Sequence, residues 1–128
     1  MTIYISAPPE QAALVSEITE ALKAQHRILV PDLNCSPIDV AVRRFTCVGS
    51  ADAFIFVCAN SGAAEPWVEL GAALARGCVV IVVPLADWQC TFLSLPEIYV
   101  ARTTAEVLET VNRTQYRRHR ITTRIEVK

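Results

Sequence analysis

The sequence predicts a doubly wound α/β domain: a five-stranded parallel sheet in strand order 2-1-3-4-5, with helices on both faces. Three observations carry this. Short apolar runs alternate with helical segments from one end of the chain to the other. The segment Ala51–Pro84 reads strand, loop, helix, strand, and two such strands joined by a helix form a parallel βαβ unit. A chain of 128 residues that is 52% hydrophobic has the length and the apolar content for one buried core.

The central unit is the clearest. Ala53–Cys58 is an apolar run long enough for a strand buried on both faces, and Val79–Val83 is another, rich in β-branched residues. A loop of small residues, Ala59–Ala64, separates the first from a helix spanning about Glu65 to Arg76. Pro66 suits a first helical turn, where its missing N–H costs nothing, and Gly77 is placed to end the helix in a left-handed conformation.

The other elements follow in order. Thr2–Ser6 is a strand with Ile3 and Ile5 toward the core, stopped by Ala7-Pro8-Pro9. Glu10–Gln25 is a helix with apolar positions at Ala13, Val15, Ile18, Leu22 and Ala24. Arg27–Val30 is a second short strand. Ser36-Pro37-Ile38-Asp39 is a helix start, with Ser36 as cap, Pro37 in the first position and Asp39 favoured by the dipole; the helix runs to about Val48. A short helical turn is expected near Cys90–Leu95 and a fifth strand over Ile98–Ala101. Thr103-Thr104-Ala105-Glu106 matches a capping box that opens a last helix to about Val111. This is a flavodoxin-like order over residues 1–114. Residues 115–128 form a basic tail, with Arg117, Arg118, His119, Arg120, Arg124 and Lys128 against Glu126. Either this tail is solvated or Ile121–Val127 adds a strand.

Composition excludes several classes. With 12 basic and 13 acidic residues the net charge is −1, so no global field points to nucleic acid or a membrane surface. No apolar run reaches membrane-spanning length, and the first residues lack the pattern of a signal peptide. The five cysteines are widely spaced with no C-x-x-C pair, which argues against zinc and for reduced thiols in a cytoplasmic setting. The chain has 4 glycines and neither a G-x-G-x-x-G nor a P-loop pattern, so no cofactor is expected.

In a doubly wound sheet, ligands bind at the carboxyl ends of the strands. That places Ser6, Ala7 and Pro8 after the first strand beside Asn60, Ser61 and Gly62 after the third. The latter three can present backbone N–H groups to an anion or form an ordinary turn. Glu65 and Glu69, four apart, share a helix face in turns where the dipole favours negative charge. Such carboxylates serve as nucleophiles or electrostatic stabilisers, and they also serve simply to stabilise a helix; spacing leaves both readings open. Gly71, Ala72, Ala73 and Ala75 make a slim helix that can pack close to the sheet. Trp67 and Trp88 can wall an apolar pocket or stack on a base, and Trp67 can equally be core. Asp52 precedes its strand and belongs at the opposite, structural edge. His26 and His119 have no nucleophile near them in sequence.

With those residues in view, the chain resembles the nucleoside 2-deoxyribosyltransferase family, including its small relatives that hydrolyse nucleotide N-glycosidic bonds. The likeness rests on Ile3-Tyr4-Ile5-Ser6-Ala7-Pro8, on Ala51-Asp52-Ala53-Phe54-Ile55-Phe56-Val57, and on Glu69-Leu70-Gly71-Ala72-Ala73-Leu74-Ala75-Arg76-Gly77, which is similar to the family's Glu-x-Gly-x-Ala-x-Ala-x-Gly helix. The resemblance implies a small-molecule nucleoside or nucleotide ligand, and Glu69 as nucleophile at the anomeric carbon of a (deoxy)ribosyl group. It implies a homo-oligomer, for which Ile38, Val40, Val42 and Phe45 offer apolar surface. The chain departs from the family pattern at Arg44, where an acidic residue is usual, and in the loop Ala63-Ala64-Glu65-Pro66; Glu65 is the carboxylate available as a replacement. Trp67-Val68-Glu69-Leu70 is also similar to a segment of Toll/interleukin-1 receptor domains, which implies NAD cleavage or signalling. A non-catalytic nucleotide-sensing module on the same scaffold is the third alternative.

Overall fold

The computed structural model describes residues 1–87 and 90–127, with side chains up to residue 115. Its elements are β1 (Thr2–Ser6), α1 (Ala12–Leu22), β2 (Arg27–Leu29), α2 (Pro37–Ser50), β3 (Ala53–Cys58), α3 (Glu65–Arg76), β4 (Val79–Pro84), β5 (Tyr99–Val100) and α4 (Thr104–Val127), with 3-10 turns at Pro9–Gln11 and Thr91–Ser94. The five strands are all parallel, in the order β2-β1-β3-β4-β5. This is the doubly wound, flavodoxin-like sheet expected from the alternation of apolar runs and helices.

Strand alternation divides the core in two. Ile3, Ala53, Ile55, Val57, Ile81 and Val83 meet Ile18 and Leu22 of α1 and Val107 and Val111 of α4. Tyr4, Phe54, Phe56, Cys58, Val80 and Val82 meet Val48 of α2 and Leu70 and Ala73 of α3. Every residue of β3 is buried, as befits the middle strand of a sheet covered on both sides. At its other end Asp52 laces the strands together: its carboxylate accepts from Thr2 N at 2.9 Å and its own N–H donates to Thr2 O at 2.7 Å.

The helix signals work as the residue types require. Ser36 Oγ accepts from Asp39 N at 3.3 Å, and Thr103 Oγ1 accepts from Glu106 N at 3.1 Å. Gly77 closes α3 at φ 80°, its N–H donating to Ala73 O and Leu74 O. Arg76 Nη1 donates to Ala51 O at 2.5 Å, tying the end of α3 to the segment that leaves α2.

Three expectations are corrected. The helix after β1 starts at Ala12, because the Pro8-Pro9 pair holds its first turn as 3-10. Of the small residues thought to slim α3, Ala73 is buried against the sheet, whereas Gly71 and Ala75 are exposed; a Cβ on Gly71 would meet nothing within 4 Å. The last helix does not stop near Val111 and no strand is added over Ile121–Val127: the backbone stays helical to Val127, so a boundary at residue 115 falls inside α4. No Gly or Pro interrupts that stretch, and extending an existing helix costs far less than starting a strand without a partner. Trp88 lies outside the described residues, and the side chain of His119 does also.

Candidate active site

The site is built where β1 meets α2 and α3. The period of two along β1 turns Tyr4 and Ser6 to the same face of the sheet, the one that α2 and α3 cover. Glu69 comes down on them from α3 and is 3% exposed. Glu65, one turn earlier, is exposed. The two carboxylates share a helix face as their spacing requires, yet only one of them is inside.

Glu69 receives four hydrogen bonds. Tyr4 Oη donates to Oε2, Ser6 Oγ donates to Oε1 at 2.8 Å, and Arg44 donates twice, from Nη2 to Oε1 at 2.6 Å and from Nε to Oε2 at 3.3 Å. The last two form a forked ion pair, in which the Arg44 side chain keeps 22% exposure and that of Glu69 only 4%. A carboxylate has about four lone-pair sites, so this one is saturated. Burial, and then its hydrogen bond to Glu69, push the Tyr4 hydroxyl far above the usual phenol range, so it stays a donor. The hydrogen bond to Glu69 likewise strengthens the hold of Arg44 on its proton. Burial first, then the charge of Glu69, push the Cys47 thiol up, which keeps it from being a nucleophile.

Two clefts meet at this cluster. The larger, of 390 Å³, lies at the carboxyl ends of β1 and β2, and its wall includes Tyr4, Ser6, Ala7, Arg44 and Glu65. The smaller, of 260 Å³, lies between α2 and α3 and includes Arg44, Phe45, Glu65, Val68 and Glu69. Arg44 and Glu65 belong to both. Glu69 borders the smaller cleft, and its partners Tyr4, Ser6 and Arg44 stand between it and the larger one.

The sequence-based candidates divide accordingly. Ser6, Ala7, Glu65 and Glu69 come together. Pro8, Asn60, Ser61 and Gly62 lie outside both cleft walls, where Ala63 takes the loop's place. Ser61 Oγ instead donates to Glu10 at 3.4 Å and accepts from Ala63 N at 3.2 Å, which is the ordinary-turn reading of that loop. Trp67 packs edge-on against Phe56 at 4.8 Å and belongs to the core under α3. Tyr4 was not among the candidates, and Arg44 stood out only as a departure from the family pattern and a weak pointer to a phosphate. Tyr4 could have been found from Ser6 by the period of two. Arg44 could have been found from its stripe, since Val40, Arg44, Cys47 and Val48 recur at helical spacing and all face inward on α2.

No protein-family model matches the sequence, and no curated protein matches it. Solved structures do. The CMP N-glycosidase BcmB of Clostridium botulinum superposes with a TM-score of 0.68 at 14% identity, over 88% of this chain and 98% of that one. The chain shares the fold of that structure. A 2-deoxyribosyltransferase of Leishmania mexicana superposes with a TM-score of 0.52 at 22% identity, over 64% of this chain and 63% of that one. The Toll/interleukin-1 receptor domain heterodimer of RPS4 and RRS1 follows the same scaffold, with a TM-score of 0.55 at 16% identity over 91% of this chain. At these identities the likeness is one of fold, shared by the N-glycosidase and deoxyribosyltransferase structures and by the Toll-type domain. Among the described residues no helix is long and apolar enough to cross a membrane.

Proposed function

We propose that this chain is a nucleoside 2-deoxyribosyltransferase-like protein that binds a nucleoside or nucleotide and cleaves or transfers its N-glycosidic bond, with Glu69 as nucleophile. The observation that carries the reading is a buried carboxylate at the switch point of the sheet, held by Tyr4, Ser6 and Arg44 beside a 390 Å³ cleft. Glu69 Oε attacks the anomeric carbon as the bond to the base breaks. The electron pair leaves with the base, which takes a proton from water. A second water, or the nitrogen of another base, then opens the glycosyl ester and loses its proton, and the Glu69 carboxylate is regenerated. Tyr4 and Ser6, on a rigid central strand, hold the attacking oxygens in place. Glu65, exposed over the cleft, is the second carboxylate available for proton transfer.

The chain works in the cytoplasm as a homo-oligomer. Ile38, Val42 and Phe45, at 77, 59 and 51% exposure, line the outer side of α2 and provide the surface for association. Sedimentation should show a dimer or larger species at micromolar concentration, and a monomer there would remove this part of the reading.

The decisive assay incubates the protein with nucleosides, their 5′-monophosphates and NAD, and separates the products by chromatography. Free base that is lost in Glu69→Gln, with an unchanged thermal melt, supports the reading. Nicotinamide instead supports the Toll-type alternative, which the fold of the RPS4 and RRS1 domains keeps in play. Binding without either product supports a nucleotide sensor.

A further inference from the structure

We propose that Arg44 is a displaceable clamp on Glu69, released by an anionic group of the ligand, so that the preferred substrate is a phosphate ester rather than a neutral nucleoside. Its catalytic consequence rests on the reading of Glu69 as nucleophile; its binding consequence does not. All four acceptor sites of Glu69 are filled, so no lone pair is left for attack until one donor leaves. Tyr4 and Ser6 cannot leave easily, because both stand on β1 between β2 and β3 and are buried to 3 and 1% exposure. Arg44 is carried on a long side chain from a surface helix, is 22% exposed, and lies on the shared wall of both clefts. It is the donor that can swing.

The choice of ligand follows from charge. Lifting a guanidinium off a buried carboxylate leaves two unpaired charges, and a ligand can drive that change only by pairing better with the released state. A neutral nucleoside offers Arg44 only uncharged acceptors, which do not replace the charge of the carboxylate it must leave. A phosphate matches the guanidinium fork with two oxygens and carries more charge than a carboxylate. Glu65, the other charged side chain shared by the two clefts, opposes an anion, but it is exposed and therefore screened. Once Arg44 is on the phosphate, Glu69 keeps the donors from Tyr4 and Ser6 and regains lone pairs toward the sugar. Recognition of the phosphate and exposure of the nucleophile become one event.

The test uses the full chain and compares Arg44→Met and Arg44→Lys with wild type, each checked by thermal melt. The probes are the common ribonucleosides and deoxyribonucleosides, their 5′-monophosphates, and inorganic phosphate in calorimetry. Wild type should favour the monophosphate over the nucleoside by about tenfold or more in kcat/KM, the effect of one forked charged contact. In Arg44→Met that preference should fall to about one, through a raised KM for the monophosphate. Phosphate should bind wild type and not Arg44→Met. Arg44→Lys should keep part of the preference, because a point charge still meets phosphate without the fork, and it covers the case in which Arg44→Met does not fold. Equal use of nucleoside and monophosphate by wild type, or a preference that survives in Arg44→Met, overturns the clamp while leaving N-glycosidic cleavage standing. If no variant releases base but monophosphate binding depends on Arg44, the catalytic reading falls and anion recognition stands. No binding of either probe overturns it.

Discussion

On the side of the sheet covered by α1 and α4, the tightly packed residues Ile3, Ile18, Leu22, Ile55, Ile81, Val107 and Val111 are all apolar, and the buried hydroxyls of Thr110 and Thr114 bond to carbonyls of their own helix. On the side covered by α2 and α3 lie a buried carboxylate, phenol and serine and a half-buried guanidinium, which bond across three elements. The first side holds the fold mainly by burying hydrocarbon, with His26 bonded to Asn112 of α4 as a polar contact between elements. The second places charge in a dry setting, where each group is tolerable only because the others are present. α2 carries the contrast to its outer surface: Arg44 faces in while Ile38, Val42 and Phe45 face out.

The largest effect expected from breaking this contrast is at Arg44. Arg44→Met leaves Glu69 buried without its counter-ion and should cost about 3–5 kcal/mol of stability. The double change Arg44→Met with Glu69→Met should recover much of that loss, and urea unfolding of the four proteins in the cycle measures the coupling. Ile55→Ala, on the opposite side, should cost about 2–5 kcal/mol by leaving a cavity, and its loss should add to that of Arg44→Met, since the two sites share no partner. Tyr4→Phe should cost about 1–3 kcal/mol, the penalty of leaving one acceptor of a buried carboxylate unmatched.

A pH series sharpens the same point. The unfolded chain loses the Tyr4 proton near 10.0, whereas the folded chain keeps it to higher pH. The folded state therefore binds that proton more tightly, and stability should be complete below pH 10.0 and fall as pH rises past it. In Tyr4→Phe that part of the alkaline fall should be absent from unfolding curves. The smallest effect on stability is expected at Phe45→Ser, within about 0.5 kcal/mol of wild type because the ring is exposed; its effect should appear in sedimentation, as weaker self-association.

Much of the fold was legible because it rests on local rules. β3 and β4 are apolar runs, Ser36 and Thr103 are caps, Gly77 is a helix stop, and alternation of strands and helices leaves few topologies open. The site was legible in part. Glu69 and Ser6 stood out by position on their elements, but Trp67 could equally be core, and the core is where it lies. Asn60, Ser61 and Gly62 sat at the right end of β3, yet of that loop only Ala63 lines the larger cleft, while Ser61 bonds to Glu10, a contact that no period reveals. The tail misled because Ile121, Thr122 and Thr123 favour strands locally, while α4 continues through them.

The sequence by itself determined the layers and, through the alternation of strands and helices, the strand order; hydrophobic periodicity and capping, properties of a single element read along its own axis, determined most of the inward-facing residues, though Val40, read as surface, faces in and Gly71 and Ala75 face out. The pairing of Arg44 with Glu69, the enclosure of that pair by Tyr4 and Ser6, and the exposure of Glu65 were decided only by the tertiary structure. The residues involved are 25 and 65 positions apart in the chain, from Arg44 to Glu69 and from Tyr4 to Glu69. Their meeting depends on how α2 and α3 are set across β1, and that setting comes from packing between elements, which no element's own pattern contains.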